Sequence, residues 1–259
     1  MNGTALGILL PAFIAGLLVL ATHVPLGMRV LARGIIFADL AVAQMAGLGV
    51  IAAGLLELTE YPLAVQGVAA ASALLGAALL AAIERKLPDV LEACIGLLFV
   101  LAASGGILLM SRDVHAGEHL KDLLAGQILW VSNSQLITIA ILTAALLALW
   151  RIFNERLGSF GFYALFALAV TASVQLVGVY LVFTSLIVPA LATHKLQQRR
   201  VPAAFAVGIS GYAAGGLLSV WSDLPTGATI VWAMALVGSV VLLKPRTWTF
   251  TQGDKLESE

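Results

Sequence analysis

The sequence is short of charge and of cysteine. Only 11% of its 259 residues are charged, whereas 61% are hydrophobic, and the mean hydropathy is +1.02. A soluble domain carries about 25% charged residues, so this composition excludes that class and predicts an all-α, polytopic helical membrane protein. The single cysteine, Cys94, excludes an internal disulfide and a thiolate metal cluster within one chain. No phosphate-binding Gly-Lys-Ser/Thr loop is present, so we do not expect the chain to hydrolyse ATP by itself.

Long apolar runs divide the chain into candidate membrane spans. Because a crossing needs about 20 apolar residues, the hydropathy predicts about nine transmembrane helices. They fall at approximately 5–22, 35–56, 63–83, 90–111, 134–152, 160–176, 178–194, 202–221 and 227–243. The sixth and seventh are short, and the turn between them must lie near 173–178. The alternative there is one long tilted helix with a re-entrant segment, which gives eight crossings.

The positive charges predict the orientation. With the N-terminus outside and nine spans, 12 of the 14 Lys and Arg residues fall on the cytoplasmic side, and only Arg112 and Lys121 fall outside. Cytoplasmic loops of membrane proteins carry this excess, so the arrangement is favoured. We therefore expect a transmembrane domain over residues 1–243 and a cytoplasmic tail over 244–259. The first span lacks the basic segment and cleavage site of a signal peptide, so we expect it to be retained.

Asp39 is the most informative residue of the chain. It lies in the apolar run 35–47, shortly after a basic stretch that contains Arg29 and Arg33. A carboxylate inside a membrane span costs several kcal/mol unless a partner or water compensates it, so Asp39 is a candidate functional-site residue. The alternative is a shallow position near the headgroups, where Asp39 only pairs with Arg33 or Arg29.

The predicted external loop holds a second group of candidate ligands. His115, Glu118, His119 and Asp122 share one face if the segment is helical, and imidazole and carboxylate ligands suit zinc. The same residues include the H-x-x-E-H pattern of a protease family. About a dozen residues between spans leave no room for a catalytic domain, which argues against an enzyme. The other alternative is a solvated polar loop in which Gly117 breaks any helix.

Four stretches, in order, resemble the membrane permease subunit of the metal-ion ABC importers, which take up zinc, manganese or iron. They span residues 25 to about 230. They are Pro25-Leu26-Gly27 with the following basic residues, Phe37 and Asp39; the segment from Leu123 to Ser132; the run from Val177 to Ala190; and the turn from Ser222 to Ala228. The resemblance implies a separate cytoplasmic ABC ATPase subunit, an extracytoplasmic metal-binding protein, a second permease copy, and a multi-pass location in the inner, cytoplasmic membrane.

The resemblance implies a metal site at Asp39, and the sequence departs from the family's pattern there. The family has a histidine four residues after the aspartate, on the same helix face, and this chain has Ala43 there. Gln44 follows, but it lies about 140° around the helix from Asp39. Gln44 is therefore a possible pathway residue and replaces the missing ligand only if the helix is distorted. The departure leaves open whether a bare ion or another species is transported.

The cytosolic loop 150–160 corresponds to the segment that docks on the ATPase in the resembled family. Arg151, Phe153, Glu155 and Arg156 are the candidate docking residues, since aromatic and charged side chains can fill a groove on a soluble partner. The alternative is an ordinary connecting loop.

The sequence therefore predicts the permease subunit of an ABC importer for a divalent metal ion. Zinc is favoured because of the His and Glu ligands, ahead of manganese or chelated iron. The chain is not expected to be an enzyme or to hold a cofactor other than the transported cation. The alternatives are an ion-coupled secondary transporter that uses Asp39 and, less favoured, an intramembrane metalloprotease.

Five further polar residues have simpler predicted roles. We expect His23 and His194 at the cytoplasmic ends of their spans, Glu92 paired near Arg85 and Lys86, and Gln66 and Gln175 able to bond across helices.

The topology can be tested by cysteine labelling in a chain that carries Cys94→Ala. Gly117→Cys should react with a membrane-impermeant thiol reagent added from outside, because the nine-span arrangement places this loop outside. Gln198→Cys should react only after the membrane is opened. Labelling of Gln198→Cys in intact cells would contradict the predicted orientation.

Overall fold

The structure is a computed structural model that describes residues 3–111, 128–153, 158–196 and 198–243. Within these ranges the secondary structure is helical, which confirms the predicted fold class. The α-helices are α1 (Gly3–Arg33), α2 (Ala38–Leu55), α3 (Pro62–Lys86), α4 (Leu91–Leu109), α5 (Asn133–Phe153), α6 (Ser159–Val177), α7 (Val179–Ala192), α8 (Arg200–Ser222) and α9 (Thr226–Leu243). Short 3-10 helices at Pro88–Val90 and Ile128–Trp130 precede α4 and α5.

Eight of these helices are long and apolar enough to cross a membrane, as judged for the described part of the chain. The exception is α7, whose 14 residues extend about 21 Å, less than the hydrocarbon thickness of about 30 Å. The short sixth and seventh segments predicted from the sequence are therefore two separate helices. The tail 244–259 lies outside the described residues.

Gly178 separates α6 from α7. Its backbone has φ 83° and ψ 161°, a conformation that a residue with a Cβ rarely adopts. Its neighbours Val177 and Val179 are apolar, and Gly178 is the residue at which one helix ends and the next begins. The predicted turn near 173–178 is confirmed.

The first helix is longer than the sequence indicated. The hydropathy predicts a span over 5–22, but α1 continues through Pro25 to Arg33. Proline is tolerated inside a membrane helix because neighbouring helices and side chains satisfy the freed backbone groups. The extension carries Arg29 and Arg33 on the last turns of α1 and brings Arg29 beside Trp150 near the end of α5 and Arg33 beside Phe162 near the start of α6.

The helices form one bundle with extensive pairwise contacts. Helix α2 packs against α3 and α4, and α3 packs against α6. Helix α1 packs against α7, α8 and α5, while α9 packs against α8 and α7. The large buried side chains of α6 include Phe162, Tyr163 and Phe166.

Small residues allow this close packing. A Cβ at Gly27 in α1 would overlap the Leu186 carbonyl of α7, and a Cβ at Gly215 in α8 would overlap the Ile230 backbone of α9. Backbone contact of this kind is a main source of attraction between helices in lipid, where the hydrophobic effect does not act between them.

Polar side chains add hydrogen bonds between helices. Gln66 of α3 donates its amide to Gln175 of α6, as predicted. The Ser72 hydroxyl donates to the Met45 carbonyl at 2.6 Å, and the Ser185 and Tyr212 hydroxyls are 3.0 Å apart. These bonds connect α3 with α6, α3 with α2, and α7 with α8.

Candidate metal site

Asp39 lies in the first turn of α2 and is buried, with 1% of its surface exposed. Its Oδ1 accepts a hydrogen bond from the Leu40 N–H at 2.8 Å, which satisfies one of the free amides at the start of the helix. Its Oδ2 is also buried and has no hydrogen-bond partner among the described residues. The carboxylate thus retains one oxygen that can bind a cation.

The arginines nearby are engaged elsewhere. The Arg33 guanidinium lies 3.5 Å from Glu84 Oε1 and stacks 4.1 Å from the Phe162 ring centroid. The Arg29 guanidinium lies 4.7 Å from the Trp150 ring centroid. The structure places Asp39 at the start of a helix, as expected for a shallow position near the headgroups. The ion pair with Arg33 or Arg29, also expected for that position, is absent from the described salt bridges.

The other positions of the predicted site follow the regular geometry of α2. Ala43, where the resembled family has histidine, is buried with 2% of its surface exposed, one turn beyond Asp39. Gln44 is half-buried, and the helix runs without interruption from Ala38 to Leu55. No distortion therefore brings Gln44 onto the face of Asp39, and its pathway role stays a prediction.

Asp39 has no dense set of protein ligands around it. In the described ranges, no group of three or more His, Cys, Asp or Glu residues is arranged to hold a metal ion. A cation at Asp39 would need further ligands from water, from a second copy, or from parts of the chain outside those ranges.

Glu92 lies beside the start of α2, which corrects the predicted pairing with Arg85 and Lys86. Its Oε1 accepts a hydrogen bond from the Phe37 N–H at 3.3 Å, while Arg85 and Lys86 are exposed. Because α4 starts at Leu91, Glu92 sits in its first turn, close to the free amides of α2. A carboxylate is favoured at a helix N-terminus by these amides and by the helix dipole.

His23 is buried, contrary to the interfacial position expected for it. None of its surface is exposed, and its Nδ1 lies 3.0 Å from the Val19 carbonyl. The reason for the error is the extension of α1, which places His23 well inside a helix that continues to Arg33. His194 follows α7 and is exposed, as expected at the end of a span.

Sequence reasoning missed two polar residues at this end of the bundle. Glu84 pairs with Arg33, and Tyr163 is fully buried with an unpartnered hydroxyl among the described residues. Glu84 is adjacent to Arg85 and Lys86 and looks like part of a cytoplasmic charge cluster. Tyr163 follows Phe160 and Phe162 in an aromatic run that is typical of a buried helix face. Neither local pattern carries a signal of a site.

The comparisons with known proteins identify the family. The family model described as "ABC 3 transport family" matches residues 5–162 and 153–244, nearly the whole chain. The chain belongs to the ABC 3 transport family. This confirms the resemblance found in the four sequence stretches.

Two solved structures share the fold of this ABC 3 family member. PsaBC from Streptococcus pneumoniae, solved in complex with Fab, has a TM-score of 0.71 at 20% identity and covers 92% of this chain and 90% of that chain. A protein assigned as a metal-chelate type ABC transporter, in an inward-facing conformation, has a TM-score of 0.65 at 17% identity and covers 91% and 86%. At this level of identity the likeness shows the fold alone.

A curated relative is similar over part of its length. It is described as "Probable iron transport system membrane protein" of Haemophilus influenzae, and it is 30% identical over 146 residues. The match covers 48% of this chain and spans about half, 54%, of that relative.

Several predicted site residues lie outside the described residues. These are His115, Glu118, His119 and Asp122 of the external loop, and Glu155 and Arg156 of the docking segment. Arg151 is exposed in the last turn of α5, and Phe153 is the final residue of that helix. The metal and docking roles of these residues stay predictions.

Proposed function

We propose that this ABC 3 family member is the membrane permease subunit of an importer for a divalent metal ion. The observation that carries the proposal is Asp39, a buried carboxylate with one unpartnered oxygen at the start of a membrane helix. A relative whose name refers to iron transport, and the fold shared with a metal-chelate type transporter, support metal as the class of substrate.

The permease makes and breaks no covalent bond in this proposal. The cation displaces water and binds Asp39, and its charge offsets the cost of a carboxylate among apolar helices. Because the chain lacks an ATP-binding loop, the driving energy comes from a separate cytoplasmic ABC ATPase. Two permease copies related by a two-fold axis form the path, and an extracytoplasmic metal-binding protein delivers the ion.

The assembly is proposed to lie in the cytoplasmic membrane, with ATPase contacts from the Arg151–Arg156 region. Arg151 is exposed at the end of α5 and is available to a soluble partner. An ATP-independent secondary transporter with Asp39 as a relay is the second candidate, because a buried carboxylate also suits ion coupling. The dependence of uptake on ATP separates the two.

The role of Asp39 can be tested by replacing it with asparagine. Asp39→Asn keeps the shape of the side chain but removes its charge, so metal uptake into cells should fall at least about tenfold, the loss typical even for residues that act indirectly on a metal. The amount of protein in the membrane should stay unchanged, because the substitution removes the free-energy cost of a buried charge. Uptake is measured with radioactive zinc, manganese and iron in parallel.

Asp89→Asn is the matched control for this substitution. Asp89 precedes α4 at the same end of the bundle but is exposed, so the same chemical change there should leave uptake unaltered. Normal uptake by Asp39→Asn, at normal expression, would contradict the ligand role.

The preference for zinc rests on the predicted external loop and has its own test. We expect the double substitution His115→Ala with His119→Ala to reduce zinc uptake chiefly at low external zinc, because loss of a collecting site appears as a weaker apparent affinity. Uptake at saturating zinc should change little. An unchanged uptake curve at every zinc concentration would show that the loop is an ordinary solvated connection and would remove the argument for zinc over manganese or iron.

A further inference from the structure

A second group of buried oxygens lies at the same end of the bundle as Asp39. Glu84 at the end of α3, Glu92 at the start of α4 and Tyr163 near the start of α6 each have a buried side-chain oxygen with no hydrogen-bond partner in the described ranges. Unpartnered buried polar atoms are uncommon in folded proteins, and such atoms often belong to a site that binds an ion or water.

Each carboxylate of this group uses only one of its oxygens. Glu84 Oε1 pairs with Arg33 at 3.5 Å, and Glu92 Oε1 accepts from the Phe37 N–H at 3.3 Å. The remaining oxygens, Glu84 Oε2 and Glu92 Oε2, can only accept hydrogen bonds or bind a cation when the groups are ionised.

Tyr163 belongs to the same group although it is far from it in sequence. The residue is fully buried, and its hydroxyl has no hydrogen-bond partner among the described residues. Arg33 itself lies over the ring of Phe162, the residue before Tyr163. The hydroxyl can donate only one hydrogen bond, so it cannot satisfy both free carboxylate oxygens.

The group contains two carboxylates and the Arg33 guanidinium, which pairs with a single oxygen of Glu84. The buried oxygens Glu84 Oε2 and Glu92 Oε2 have no hydrogen-bond partner among the described residues. A divalent cation would bind these oxygens. Carboxylate and phenol oxygens are hard ligands, which manganese and similar ions prefer over soft ligands such as thiolates.

We propose that Glu84, Glu92 and Tyr163 form a second divalent-cation site, on the route between Asp39 and the predicted cytoplasmic side. This proposal deepens the proposed function and rests on it, because it assumes that an imported metal ion reaches Asp39. The Phe37 N–H bond joins Glu92 to the chain two residues before Asp39. Asp39 is 1% exposed, whereas the Glu84 side chain is 23% exposed, so Glu84 lies nearer to the surface than Asp39.

Arg33 is the resident counter-ion of this site. Its guanidinium pairs with one oxygen of Glu84. An entering cation competes with it, so loss of the Arg33 charge should strengthen metal binding. A purely structural group, in which Arg33 and Glu84 only hold α1 to α3, predicts no such gain.

The test is a titration with Mn²⁺ of the full chain in lipid nanodiscs, with free and bound ion measured by electron paramagnetic resonance. The starting chain carries Asp39→Asn, His115→Ala and His119→Ala, which removes the other two candidate sites. We expect it to keep one Mn²⁺ site. Adding Glu84→Gln with Glu92→Gln should weaken that site about tenfold or more. Adding Arg33→Gln instead should tighten it.

Glu57→Gln with Glu60→Gln is the matched control, because it removes two carboxylates from the connection between α2 and α3, at the other end of these helices. This pair should leave the affinity unchanged. Tyr163→Phe keeps both carboxylates and removes only the hydroxyl, so it tests the site if the double glutamate variant fails to fold. We expect it to weaken Mn²⁺ binding as well.

The results separate this site from the role of Asp39. Absence of Mn²⁺ binding in the starting chain, or equal affinity with and without the Glu84, Glu92 and Tyr163 substitutions, would overturn the second site and leave Asp39 untouched. Loss of Mn²⁺ binding on adding Glu84→Gln with Glu92→Gln to this starting chain would support the second site, while the uptake measurement on Asp39→Asn tests the ligand role of Asp39 separately.

Discussion

The structure depends on one constraint, which is the free-energy cost of burying carboxylates among apolar helices. A buried carboxylate needs a cation, a set of hydrogen-bond donors, or both. Asp39 receives one backbone donor, from Leu40, and keeps one oxygen free. Glu92 is held by the start of α2 and Glu84 by Arg33. Five helices contribute to this arrangement, since α1, α2, α3, α4 and α6 bring their charged or aromatic termini to one end of the bundle.

The rest of the bundle can hold these groups because small residues let its helices pack closely. Contact between α1 and α7 at Gly27 and Leu186, and between α8 and α9 at Gly215 and Ile230, lets backbones approach closely. The short helix α7 is fixed from both sides, because Gly238 of α9 also meets Val188. The many small residues of the sequence therefore allow the close helix packing that positions the few polar side chains.

Hydropathy predicted most of the fold, because the length of a span is set by the bilayer. The predicted bounds of α2 to α9 differ from those of the structure by at most three residues at either end. The predicted end of α1 is wrong, since the helix continues through Pro25 with the support of neighbouring helices. The sequence indicated only that Gln66 and Gln175 are able to bond across helices, and the structure shows that they bond to each other.

The candidate site was less predictable. Asp39 is visible in the sequence because a charge interrupts an apolar run. The partners of Glu92 and the burial of Tyr163 depend on which helix ends meet, and no local pattern encodes that meeting. Glu84 was not recognised as a site residue because the basic residues Arg85 and Lys86 follow it in the sequence.

The central claim is the import of a divalent metal ion driven by ATP, and uptake by a reconstituted system tests it most directly. The permease, purified with the proposed ATPase subunit, is placed in proteoliposomes, and the proposed metal-binding protein is added with radioactive zinc, manganese or iron. The account predicts that at least one of these metals crosses the membrane only while ATP is hydrolysed, and that Asp39→Asn stops it. Metal movement that ignores ATP and follows an imposed proton gradient would contradict the account.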